Sequence, residues 1–271
     1  MKRREFVGAS VAASLLGSSL SVEGFNENRD ENRDDQPKPE YYELRLYHLR
    51  RGPQVKALHD FFAEVALPAM KRNGLGPIGC FEVLTGPDSP TIYMLIPHKS
   101  IDSFSTASSR VNADVDYQKA ALDFLNAPSN APAYQRIESS LMVAFDSFPK
   151  LQVPAAATGN KPRIFELRTY ESHSRKASKK KIEMFGMGEI AIFKRTGLQP
   201  VFFGETMIGT RLPNLTYMLT FDNLAAREKN WSVFGADPDW KKLSTMPGYA
   251  DADVVSNITS SFLRPTPYSQ I

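Results

Sequence analysis

Polar and apolar residues alternate in one short stretch near the start of the chain and again in its second half. Tyr42-Glu43-Leu44-Arg45-Leu46-Tyr47 returns as Phe165-Glu166-Leu167-Arg168-Thr169-Tyr170, displaced by 123 positions (166 − 43). Alternation of period two predicts a strand whose successive side chains point to opposite faces. Behind the first strand the apolar spacing lengthens to three and four. Val55, Leu58, Phe62, Val65 and Met70 predict a helix over 52–73, with Gly74 placed to end it in a left-handed turn. Further strands are expected at 78–84, 91–96 and 135–145, with shorter helices at 100–110 and 115–125. The second half repeats the series: strands at 164–170, 201–208, 215–221 and 253–263, and helices at 176–196, 223–234 and 238–243.

The same displacement carries Lys71-Arg72-Asn73-Gly74-Leu75 onto Lys194-Arg195-Thr196-Gly197-Leu198, and Pro77, Glu82, Gly86 and Pro90 onto Pro200, Glu205, Gly209 and Pro213. One residue is then expected to be gained, so that Tyr93-Met94-Leu95 meets Tyr217-Met218-Leu219. Ordered matches of this kind predict an internal duplication, in units too long for a solenoid. Each unit reads β-α-β-β-α-β, the order of a ferredoxin-like fold with one bare sheet face. The expected class is α+β: two tandem ferredoxin-like repeats, at 41–148 and 163–265, packed as an intrachain dimeric α/β barrel. The Pro-, Ala- and Gly-rich segment 149–162 links them.

Residues 1–24 change the picture of where the protein works. Lys2-Arg3-Arg4-Glu5-Phe6 precedes a mild apolar run and resembles a bacterial twin-arginine export signal. A periplasmic or secreted location is expected, with no stable membrane anchor after cleavage, because the run is too weak to span a bilayer. A polar spacer follows at 25–40. The 271-residue chain is 42% apolar and 23% charged, with a net charge of +3, which gives no electrostatic case for nucleic acid. Cys80 stands alone in an apolar strand and is expected to be buried and structural.

Phe165-Glu166-Leu167-Arg168-Thr169-Tyr170, the Gly204-Glu205 pair and the series Arg227, Trp231, Phe234, Asp237, Pro238, Trp240 together resemble the NIPSNAP family. The resemblance covers both copies and implies the dimeric α/β-barrel superfamily, which includes small monooxygenases. It implies no settled chemistry. The first copy departs from it: the stretch from Ser103 to Ser109 lacks the Arg and Trp, and Tyr117 stands for Trp240. A function confined to one half is therefore expected in the second.

With Tyr42, Leu44 and Leu46 turned toward the helices, Glu43, Arg45 and Tyr47 should face the barrel interior, as should Glu166, Arg168 and Tyr170. Glu82 and Glu205 are expected in the same space. Such a set suits a small anionic or phenolic ligand, and equally a self-satisfied ion-pair network that fixes the halves together. Arg227, Trp231 and Phe234 share a helix face that Trp240 can join, as an aromatic ligand wall or as core. The lysines of 173–181 read as a solvated helix start. His48, His59, His98 and His173 lack metal-chelating spacing, so no metal and no cofactor is expected.

Two functions stay open: a small-molecule-binding or interaction module, with a homo-oligomer among its possible partners, and a cofactor-independent monooxygenase or isomerase acting on a small aromatic or quinone-like substrate in the barrel cavity.

Overall fold

The two alternating stretches form the central strands of two four-stranded sheets. A computed structural model describes residues 37–271 apart from Pro87 and residues 159–160; the leader at 1–24 and residues 25–36 of the spacer lie outside the described residues. The strands are β1 (Tyr41–His48), β2 (Gly79–Val83), β3 (Thr91–His98), β4 (Arg136–Ala144), β5 (Ile164–Glu171), β6 (Gln199–Ile208), β7 (Asn214–Phe221) and β8 (Asn257–Pro265). They close into one antiparallel barrel in the order β1-β3-β2-β8-β5-β7-β6-β4. Each half thus keeps the ferredoxin-like order 4-1-3-2, and the outer strands of one sheet pair with those of the other at β2–β8 and β4–β6. An open sheet edge carries unpaired N–H and C=O groups. Here each half covers the other's edges, so a second copy of the chain would have to dock elsewhere.

In the first half α1 (Pro53–Phe61) passes through a π turn (Phe62–Ala66) into α2 (Leu67–Arg72), followed by α3 (Ile101–Ala113), α4 (Val115–Ala120) and α5 (Leu122–Leu125). A short α6 (Ala155–Thr158) lies in the linker. The second half repeats the long helix as α7 (Arg175–Met184), a π turn (Phe185–Glu189) and α8 (Ile190–Arg195). Then come α9 (Leu224–Ala236), α10 (Pro238–Ser244) and a single turn, α11 (Asp251–Val254), where the sequence suggested that β8 had begun. Gly74 and Gly197 end the long helices at φ 76° and 87°. That left-handed turn lets Leu75 and Leu198 donate back to Met70 and Phe193 at 3.0 and 2.9 Å.

The register corrects one expectation. Arg45 pairs with Met94, and Arg168 with Tyr217. The displacement therefore stays at 123 through β3 and β7, and no residue is gained. The shared Tyr-Met-Leu is an accident one position out of step, and one step turns every side chain to the other face. Tyr93 points into the barrel, whereas Tyr217 lies under the helices.

The faces are also the reverse of those expected. Tyr42, Leu44, Phe81, Leu95, Phe165, Leu167, Phe202, Met218 and Leu263 form one cluster inside the barrel, drawn from both halves. Tyr47 and Tyr170 belong instead to two separate clusters between sheet and helices. So Glu43, Arg45, Tyr47, Glu166, Arg168 and Tyr170 face the helices. Both faces of these strands are buried, and alternation cannot tell which covering is which.

The seams are tight. A Cβ added at Gly204 on β6 would lie 2.8 Å from Met142 Cβ on β4, across one of the two joints between the halves. Gly204→Ala should therefore destabilise the protein by about 1–3 kcal/mol in urea unfolding; a loss under about 0.5 kcal/mol would mean the joint yields freely.

Candidate functional site

Each half holds the same core of a site: a strand carboxylate, the arginine two residues on, and a serine on the neighbouring strand. In the second half Glu166 is fully buried and accepts five hydrogen bonds. Arg168 Nη1 donates to Oε1 at 2.7 Å, Arg227 Nη2 to Oε1 at 2.8 Å and Arg227 Nε to Oε2 at 3.0 Å. Trp231 Nε1 donates to Oε2 at 2.9 Å and Ser260 Oγ to Oε1 at 3.2 Å. Arg168 lies over the Trp231 ring at 4.8 Å and donates to Tyr170 Oη at 3.3 Å. Tyr170 and Tyr217 join hydroxyls at 2.9 Å. Trp231 and Trp240 pack against Phe234.

The space beside this network is filled by a pair that the sequence did not disclose. Lys181, expected on a solvated helix start, is buried, with Nζ 3.1 Å from Glu189 Oε2 and 3.3 Å from Asp251 Oδ1. Burial opposes its charge, but Glu189 and Asp251 overcome it and raise its pKa. Its ammonium sits over the rings of Tyr170, Phe185 and Trp240. In the second half the strand carboxylate is saturated with donors and its surroundings are packed.

The first half is neither. Arg45 clamps Glu43 with Nε–Oε1 at 2.6 Å and Nη2–Oε2 at 2.9 Å, and Ser139 Oγ donates to Oε1 at 3.1 Å. Ser100 and Asn223 cap α3 and α9 at equivalent points, so Phe104 stands where Arg227 does and Ser108 where Trp231 does. Leu58 and Ala66 replace Lys181 and Glu189. The exchange of Trp for Ser leaves a cavity of about 170 Å³. Arg45, Tyr47, Met94, His98, Ser108 and Tyr117 are among its lining residues. His98 is buried, and neither ring nitrogen has a hydrogen-bond partner; Nε2 stops 3.6 Å from Glu43 Oε2. Phe61 and Phe124 stack at 3.7 Å, and both also line an open groove of about 620 Å³ outside. This ring pair is the wall between cavity and surface.

Residues 42–147 and 165–270 each match the model of the NIPSNAP family. The chain belongs to the NIPSNAP family. Among solved structures it is similar to a protein from Lactobacillus acidophilus named "putative monooxygenase", at 7% identity and a TM-score of 0.56, covering 84% of this chain and 94% of that one. A Fusobacterium nucleatum protein of the same name matches at 8% identity and TM-score 0.53, covering 84% and 93%. An uncharacterised NIPSNAP-like domain protein from Burkholderia xenovorans is 20% identical over 40% of this chain and 88% of its own, with a TM-score of 0.36. At these identities the first two likenesses show the fold alone. No curated protein matches the chain.

Within the NIPSNAP repeats the expected site residues separate. Glu43, Arg45 and Tyr47 stand together, as do Glu166, Arg168, Tyr170, Arg227 and Trp231, with Trp240 in the same packed layer. Glu82 and Glu205 join neither set. Glu82 pairs with Arg264 at 2.6 Å and His59 at 2.9 Å; Glu205 pairs with Lys179 at 2.6 Å. Both lie on β2 and β6, the strands that form the joints. Ser139 and Ser260 escaped the sequence because they reach the carboxylates only through strand pairing, whereas His98 was weighed there only as a metal ligand. Cys80 is buried, which pushes its thiol pKa up. Among the described residues no group of three or more His, Cys, Asp or Glu is placed to hold a metal ion, and no helix is long and apolar enough to cross a membrane.

Burial works against the Glu43 carboxylate, yet the adjacent His98 and Arg45 hold its pKa down to about 2, from an ordinary 4.5. A carboxyl whose folded pKa lies below its unfolded one stabilises the fold above the unfolded value and loses that contribution as pH falls. Here it amounts to about 3 kcal/mol, lost between pH 4.5 and 2. Urea unfolding over that range should show the wild type losing up to about 3 kcal/mol more than Glu43→Gln; parallel pH profiles would refute the assignment.

Proposed function

We propose that this NIPSNAP protein is an exported small-molecule-binding module whose first repeat takes a small planar ligand in the sheet–helix cavity. The observation that carries this reading is the space left by Ser108 where the second repeat has Trp231, bordered by Arg45 and the unpartnered His98. About 170 Å³ is below the usual range for drug-sized ligands, roughly 300 Å³ and more, and close to the ~150 Å³ that admits benzene. The second repeat indicates what suits the place: its own occupant is an indole ring with one polar edge on the strand carboxylate. A single aromatic ring carrying an oxygen would meet aromatic walls at Phe62 and Tyr117 and donors at Arg45 and Tyr47.

This moves the proposed ligand site from the barrel interior to the helix side, and from the second half to the first. A second reading is turnover, as an isomerase or as a cofactor-independent monooxygenase; both fold neighbours are named "putative monooxygenase". The observation favouring it is His98, a buried ring at the cavity edge whose Nδ1 has no hydrogen-bond partner and whose Nε2 lies 3.6 Å from Glu43 Oε2. Isomerisation needs only a proton moved, whereas monooxygenation without a cofactor also needs dioxygen and a substrate that itself gives up the two further electrons reducing the second oxygen atom to water.

Native mass spectrometry of protein recovered from the periplasm should find a small aromatic molecule bound one to one. Ser108→Trp should abolish that binding while keeping the fold, because it restores the second repeat's own filling; unchanged binding would exclude this cavity. Export is tested separately. Replacing Arg3 and Arg4 together by Lys should hold the precursor in the cytoplasm, and an unaltered periplasmic yield would remove the twin-arginine reading.

A further inference from the structure

The barrel interior holds a second space, chemically unlike the first. One end of the lumen is closed by aromatic packing, with Tyr42 against Phe202 at 5.1 Å and Phe81 against Phe165 at 4.7 Å. The other end is an open cup of about 550 Å³. Its floor is mostly aliphatic, with Leu44, Leu46, Leu167 and Met142 beside the Tyr93 ring. Its wall is built of hydroxyls, because inward positions toward this end of several strands carry Ser or Thr: Ser140 on β4, Thr169 on β5, Thr206 on β6, Thr216 on β7, and Thr259 and Ser261 on β8.

We infer that this cup is a binding site for a polyhydroxylated molecule, of the size of one or two sugar rings. Three features of the lining argue for it. The first is spare hydrogen-bonding capacity. Thr169 and Thr216 share one bond at 2.9 Å, which leaves one of the two hydroxyl protons unused. Ser140 and Thr210 have no side-chain hydrogen bond among the described residues.

The second feature is charge. At the mouth Arg136 pairs with Glu138 at 2.9 Å, and the His48 ring nitrogens lie 3.1 Å from Asp88 and from Glu138. Arg211 is the exception, a lining cation with no carboxylate partner among the described residues. Arg211, at φ 60°, directs Nη1 to Thr259 Oγ1 at 3.1 Å instead of to a carboxylate. The third feature is shape. A sugar ring presents hydroxyls at its edge and C–H groups on its face, which matches a hydroxyl wall above a mostly aliphatic floor. About 550 Å³ lies within the ~300–1,000 Å³ range of ligand pockets. The sheet–helix cavity lies on the other face of the strands, and the two spaces share no lining residue.

The test is an amide NMR titration of the purified full chain with myo-inositol, glucose and maltose, each to about 50 mM. The expected result is saturable shifts confined to the cup-facing ends of β1, β5, β7 and β8 with at least one of the three. Thr169→Val combined with Thr216→Val removes two hydroxyls while preserving shape, and losing both partners of one hydrogen bond together leaves the fold near neutral. It should weaken that binding by about tenfold or more at an unchanged circular dichroism spectrum. Phenol at the same concentration should leave the cup unshifted. Absence of saturable shifts with all three polyols overturns the inference, as does equal binding by the double variant or occupation of the cup by phenol.

Discussion

The structure depends on the need to pair strand edges. A four-stranded ferredoxin-like sheet has two of them, and in this chain each outer strand finds its partner in the other half, β2 with β8 and β4 with β6. Closing both joints turns two bare sheet faces into one lumen and obliges the bulky apolar residues of both central strands to point inward. The Glu-x-Arg-x-Tyr face is then left beneath the helices. Where the chemistry sits therefore follows from how the edges are satisfied.

From that common frame the halves have diverged in how they treat one buried carboxylate. Glu166 is surrounded by donors, including two arginines and an indole, and its neighbourhood is completed by Lys181, Glu189 and aromatic rings. Glu43 has one arginine, one serine and a histidine whose Nε2 stands 3.6 Å off. A buried charge that loses partners is expensive unless water or a ligand takes their place. The first half has the space.

The duplication, the element order and the barrel class were legible in the sequence because alternation, helical spacing and glycine caps all agree twice over. What remained hidden is physical in origin. Alternation gives two faces but no label for either when both are buried, which is why Glu43 and Arg45 were expected in the lumen. The match of Tyr93 with Tyr217 was persuasive as text and wrong by one position, and only the pairing of Arg45 with Met94 reveals it. Lys181 lies in a basic run yet is the one lysine of that run turned inward to a carboxylate. The absence of Arg and Trp from α3 read as the loss of a site. In three dimensions a missing indole is a volume, and volume is what a ligand requires.

The linker between the repeats, residues 149–162, has a consequence beyond holding the halves together. In a symmetric pair of identical chains every substitution is made twice, so a change that opens one side opens the other, and a packed half cannot be kept as the stable partner of an open one. Joining the copies in a single polypeptide removes that twofold obligation. Ser108 and Trp231 can then stand at equivalent positions of the same molecule, one half acting as the rigid counterpart against which the other was free to hollow out.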